Sequence, residues 1–214
     1  MTALVQSLPA LPPALYSGPE LYNKLPTLGE ADEAFTPEAR TILVSQVGDL
    51  LASFGALWGL CLVHAHCSLE VGETMLGRGN ISQPEKDVKL GEVFPERWLA
   101  DGRPYEFNVD KSQPPPAALV TQFNTLISEM GLSGTLGLYY VGDKVPEVVL
   151  ERTEGRANII EVVTGPVDGG SSIQTGWASI KGQAGMPVTM ACVINCDSRI
   201  TRNAAVHKGT RSHT

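Results

Sequence analysis

The apolar positions of the chain fall into successive patterns, and each predicts its own kind of element. Residues 1–35 hold no period: Pro9, Pro12 and Pro13 break the first apolar run, and Leu15, Tyr16, Leu21 and Tyr22 are left to anchor an extended, proline-rich arm. Leu43, Val47, Leu50, Leu51 and Phe54 then recur at helical spacing. Their helix opens at Thr36-Pro37-Glu38, a capping hydroxyl, a first-turn proline and an acid favoured by the helix dipole, and Gly55 stops it. The next segment, Ala56–Leu69 (ALWGLCLVHAHCSL), is apolar on both alternating faces, the mark of a buried strand. Glu70–Glu73 reads as a hairpin turn into a second strand over residues 74–82. Residues 84–112, with FPERWLADGRPYEF at their centre, follow neither period and read as an irregular segment. A second helix follows Pro114–Pro116, with Leu119, Phe123, Leu126, Ile127 and Met130 on one face and Gly131 as its cap.

From Thr135 onward the pattern alternates with period two. TLGLYYV, VPEVVLERT, ANIIEVV, SIQTGWASI and PVTMACVINC are candidate strands, separated by glycine-bearing turns. Short connections favour antiparallel neighbours, so these strands are expected to form a meander. The fold class this predicts is α+β: a curved, largely antiparallel sheet of about seven strands packed with two main helices. One domain is expected over residues 36–197, after the arm. The tail 198–214 has Arg199, Arg202, Lys208 and Arg211 but no acid and is expected to be disordered.

Composition narrows the class. The 214 residues are 43% hydrophobic and 18% charged, which is globular composition and enough chain for a single core. A formal net charge of −7 excludes a general nucleic-acid binder, which needs a basic face. The N-terminus lacks the basic start of a signal peptide, and no apolar run reaches the roughly 18 residues of a membrane span. A cytoplasmic protein with neither nucleic acid nor membrane as partner is therefore expected. Cys61 and Cys67, like Cys192 and Cys196, are too far apart along a strand for a disulfide within either pair; bridges between the pairs stay open, but with no secreted disulfide framework in the spacing, thiols in a reducing compartment are expected.

One constellation carries chemistry. On the Trp58–Cys67 strand, Trp58, Leu60, Leu62, His64 and His66 share a face, so two imidazoles project together from an apolar row, roughly 6–7 Å apart at the backbone. Such a row faces the interior and would line a cavity. The pair can ligate a divalent metal, zinc or iron, with Glu70 as the nearest carboxylate to complete the set. It can equally do metal-free proton transfer, with Glu73 beside it to tune an imidazole, or be a hydrogen-bonded part of the core. Trp58, Arg97, Trp98 and Tyr105 are the candidate substrate contacts, the last three from the cation-and-aromatic stretch in the irregular segment. Cys67 neighbours His66, but adjacent strand residues point to opposite faces, which makes a thiolate–imidazole pair of them geometrically poor.

The spacing His64-x-His66-x3-Glu70-x6-Gly77 resembles the first metal motif of the cupin family, over this segment only; the family's second motif, with its later histidine, is absent. That resemblance implies His64, His66 and Glu70 as ligands. The segment LVHAHCSLEVGETML also resembles a group of uncharacterised filamentous-fungal proteins, which implies a fungal origin and, by analogy, a tailoring role in secondary metabolism. The function these readings predict is a small-molecule enzyme with a buried pocket. The alternative is a non-catalytic ligand-binding or interaction domain, with a second copy of the chain as the partner that would close an exposed sheet edge.

Overall fold

The computed structural model describes residues 18–143, 147–164, 171–179 and 185–194; the start of the arm and the basic tail lie outside the described residues. Within them, the stretch read as an arm is already folded. Helices α1 (Gly18–Tyr22) and α2 (Leu28–Ala34) bury Tyr22, Leu28 and the following Phe35. Thr27 caps α2, its hydroxyl accepting from the Glu30 amide while the Glu30 carboxylate accepts from the Thr27 amide. Helix α3 (Pro37–Ser53) begins where the sequence places it: the Thr36 hydroxyl accepts from the Ala39 amide at 3.3 Å, and Gly55, at φ 91°, follows its end. Helix α4 (Ala117–Glu129) also follows its proline run, and Gly131, at φ 70°, ends it.

The sheet differs from the expectation. Its strands are β1 (Trp58–Leu62), β2 (Glu73–Arg78), β3 (Ile81–Lys86), β4 (Phe94–Leu99), β5 (Pro104–Asn108), β6 (Leu136–Tyr140), β7 (Val149–Glu154), β8 (Ala157–Val162), β9 (Ser172–Trp177) and β10 (Val188–Val193). They close into a mixed barrel in the order β1-β6-β4-β5-β2-β3-β8-β7-β10-β9, with β9 pairing back to β1. The curved, open, antiparallel α+β sheet is thus corrected to a closed ten-strand barrel carrying four helices. The meander is corrected too. Strand β6 pairs with β1 and β4, and β7 runs parallel to β10, so only β7–β8 and β9–β10 are sequential neighbours in that region. Closure leaves the described strands without the free edge on which edge-to-edge pairing with a second copy was expected.

The irregular segment is where the missing strands lie. FPERWL is β4 and PYEFN is β5, paired antiparallel. Two prolines and three charges hid them, because a charged residue at an inward position looks like a loop residue until its partner is known. The pairing shifts register between Arg97↔Glu106 and Trp98↔Pro104, leaving Tyr105 as an extra residue. Both Tyr105 and Glu106 then reach inward: the Tyr105 hydroxyl lies 3.6 Å from Cys61 Sγ, and Glu106 pairs with Arg97 at 3.2 Å.

Two kinds of interior result. Four consecutive strands of the ring, β9-β1-β6-β4, send Ile173, Trp177, Trp58, Leu60, Leu62, Leu136, Leu138 and Trp98 into one apolar core with α2, α3 and α4, and Cys192 on β10 touches this core while standing in register with Glu151 of β7. The lumen is different. Strands β4 and β7 stand five places apart around the ring in either direction, yet Arg97 on β4 binds Glu151 on β7, so this ion pair crosses the barrel. Gly59 makes room for the crossing side chains: a Cβ there would overlap the Tyr139 ring, whose hydroxyl shares a 2.6 Å hydrogen bond with Thr189.

Candidate metal centre

The histidines owe their position to the ring order. Strands β1 and β2 are consecutive in sequence but four places apart in the barrel, so the chain between them, residues 63–72, crosses the barrel's end. The strand expected to run to Leu69 stops at Leu62, and the backbone finds its partners elsewhere. The Val63 amide donates to the Thr135 carbonyl at 2.8 Å, the Ala65 amide to the Pro26 carbonyl at 3.1 Å, and the His66 amide to the Tyr22 hydroxyl at 3.2 Å. Val63, Ala65 and Cys67 still pack together in one cluster, with His64 and His66 as the alternate residues between them. The two histidines are buried together, 1% and 0% exposed, with ring centroids 4.7 Å apart at 63°.

Their third companion comes from the far end of the chain. Cys192 on β10 is 0% exposed, and one donor atom from each of His64, His66 and Cys192 lies within 4.8 Å of the other two. Donors around one tetrahedral ion sit roughly 3.3–3.8 Å apart, given bonds of about 2.0–2.3 Å, so side-chain shifts of about 1 Å close this group on an ion. Hydrogen bonding prepares the rings for it. The Nδ1 of His64 lies 2.9 Å from the Leu62 carbonyl, which can only accept, so Nδ1 carries the proton and the neutral ring keeps its lone pair on Nε2. That Nε2 is buried without a hydrogen-bond partner. The Nδ1 of His66 lies 3.3 Å from Thr153 Oγ1 on β7.

Beside the group stands the charged lumen. Glu151, 0% exposed, is the register neighbour of Cys192 across the parallel β7–β10 pair. Its Oε1 accepts from Arg97 and from Asn158 Nδ2 at 3.2 Å, and its Oε2 has no hydrogen-bond partner. Burial pushes the Glu151 carboxyl up, but the Arg97 guanidinium outweighs burial and holds it down at about 2. Arg97 stays charged for the matching reason: burial opposes its charge, and the carboxylates of Glu151 and Glu106 more than restore it. Burial pushes the Cys61 thiol up to about 12 and raises the Tyr105 and Tyr139 phenols, so all three stay protonated at neutral pH.

The other candidate residues stand apart from this group. Glu70 is exposed and pairs with Lys86 at 3.1 Å, so no carboxylate from the turn joins the imidazoles. Glu73 is buried but committed, accepting from Arg156 at 3.1 Å and from the Glu70 amide at 2.7 Å. Its carboxyl is held below the ordinary range, chiefly by the Arg156 hydrogen bond. Trp58 and Trp98 belong to the helix-covered core, with the Trp58 indole donating to the Gln113 carbonyl at 3.0 Å. Arg97 lies in the lumen, and Tyr105 reaches it with its hydroxyl while also lining a cleft of about 140 Å³ with Leu69, Met75, Leu90 and Phe107, so the two tryptophans do not converge with them on one substrate. Cys192, Thr153 and Glu151 were not legible as site residues. Each lies more than eighty residues from His66, and only ring closure brings them near.

Comparison of the chain with protein-family models, with curated proteins and with solved structures finds no match in any of the three. Among the described residues, no helix is long and apolar enough to cross a membrane.

Proposed function

We propose that this barrel is a metal-binding protein in which His64, His66 and Cys192 hold one transition-metal ion. The observation that carries the reading is the convergence of two imidazoles and a cysteine within 4.8 Å in a fully buried setting, with His64 Nε2 left without a hydrogen-bond partner. A buried polar atom without a partner costs free energy, and an ion would supply the missing interaction. Sulfur in the donor set favours zinc or copper over the iron expected with a carboxylate, since thiolate is a soft ligand and the two-histidine, one-carboxylate arrangement is not the one assembled here. Leu62 and Thr153 would hold the outer ring nitrogens, the usual way of orienting ligating imidazoles.

Three protein donors leave a fourth position for water or substrate, the arrangement of catalytic rather than structural zinc sites. A second reading rests on that count: a metal-dependent enzyme acting on a small organic molecule. Its cost is access, because all three donors are at most 1% exposed.

Metal analysis of the purified full-length protein tests the first reading. Wild type is expected to retain about one equivalent of metal per chain, and His64→Ala with His66→Ala to retain none. A wild type that binds no added zinc or copper overturns it. Azide added to the cobalt-substituted protein separates the two readings: a shift of the visible bands means that the fourth position is reachable, and an inert spectrum favours a closed site.

A further inference from the structure

Resting on that reading and going one step past it, we infer that Glu151 is the buried counter-charge that makes this centre one for a divalent ion. The placement is direct. Glu151 and Cys192 face each other in register on parallel strands, so the carboxylate and the thiol share one face of the barrel wall. The carboxylate is wholly buried. Only one of its oxygens is used, by Arg97 and Asn158, and Oε2 has no hydrogen-bond partner although the side chain is otherwise well held.

The charges of the lumen give the reason. Arg97 binds two carboxylates there, Glu106 and Glu151. Tyr105, Tyr139 and Cys61 are kept protonated by burial. Within this buried triad, one guanidinium against two carboxylates leaves one negative charge. Such a charge is costly without compensation. A divalent ion on two neutral imidazoles and the Cys192 thiolate carries one positive charge and cancels it. A monovalent ion, such as cuprous copper, on the same donors carries none and leaves the lumen as it was. Glu151 is the carboxylate that decides between them, because it stands beside Cys192, whereas Glu106 sits on β5 across the barrel with Arg97 between.

The test is a pair of competition titrations on the full-length protein, with Zn²⁺ and with Cu⁺ under reducing, oxygen-free conditions, each against a chromophoric chelator. Glu151→Gln keeps the volume and an oxygen for Arg97 while removing the charge. It is expected to weaken zinc about 10–100-fold and to leave Cu⁺ within about threefold of wild type. Glu106→Gln is expected to weaken zinc by less than about fivefold. Glu151→Asp keeps the charge on a shorter stem and is expected to hold zinc within about fivefold of wild type; it decides the matter should Glu151→Gln fail to fold. Equal losses of both ions in Glu151→Gln, no loss of zinc there, or a loss in Glu151→Asp as large as in Glu151→Gln would each overturn the inference. A wild type that binds neither ion takes down the metal reading itself, whereas a wild type that binds zinc as well as Glu151→Gln does sinks only the role of Glu151.

Discussion

The helix-covered wall of the barrel and its lumen are equally buried, yet they are held together by different physics. On the wall, Leu60, Leu62, Leu136, Leu138, Phe123 and Ile127 are all fully buried and carry no polar side-chain atom to satisfy. Their contribution grows with the apolar area removed from water, roughly 25 cal/mol per Å². Across the sheet, Arg97, Glu106 and Glu151 are 6%, 3% and 0% exposed at their side chains and stabilise only as a set. Any one of them alone would be a buried charge. The wall therefore tolerates any side chain of the right volume, and the lumen tolerates only a change that preserves charge balance.

Breaking the lumen is expected to have the largest effect. Arg97→Met leaves two carboxylates buried with no cation and should cost about 3–5 kcal/mol, read from urea unfolding at neutral pH. Replacing Glu106 and Glu151 by Leu in the same chain should recover most of that loss, because the set is then removed whole; no recovery would mean that the triad is held by geometry rather than by charge. The wall should respond to volume alone. Leu60→Ala is expected to cost about 2–4 kcal/mol, with Leu60→Met costing less than about 1.5, in the same measurement.

The smallest effect sharpens the comparison at the barrel's end, where Glu73 meets Arg156 at the edge of solvent. Because Arg156 holds the Glu73 carboxyl below its ordinary value of 4.5, the pair stabilises the fold at pH above that value. The contribution fades as pH falls through the folded-state value. With the arginine a third exposed, solvent screening limits it to about 1 kcal/mol. Glu73→Gln should thus be less stable than wild type at pH 7 and converge with it as pH falls below the ordinary carboxylate range. A gap that persists at low pH would assign Glu73 a packing role instead.

Much of the local structure was legible from residue type. Thr36-Pro37-Glu38 and Gly55 mark the two ends of α3, and the proline run and Gly131 mark those of α4, because capping and left-handed backbone are decided within a few residues. The five late strands were legible from alternation alone. Strands β4 and β5 were not, since their inward Arg97 and Glu106 satisfy each other across a pairing that the sequence does not announce. The His64–His66 pair was legible as a neighbouring, buried pair, although the paired strand itself ends at Leu62.

The sequence by itself determined the elements, the caps and the presence of two imidazoles in an apolar setting, all of which depend on interactions within one turn or one strand. Only the tertiary structure decided that the sheet closes, that β1 and β2 lie four places apart, and that Cys192, with Glu151 in register beside it, therefore meets the histidines. Strand order is fixed by pairings between distant segments, and those energies are shared by every strand in the ring. No local pattern can carry them.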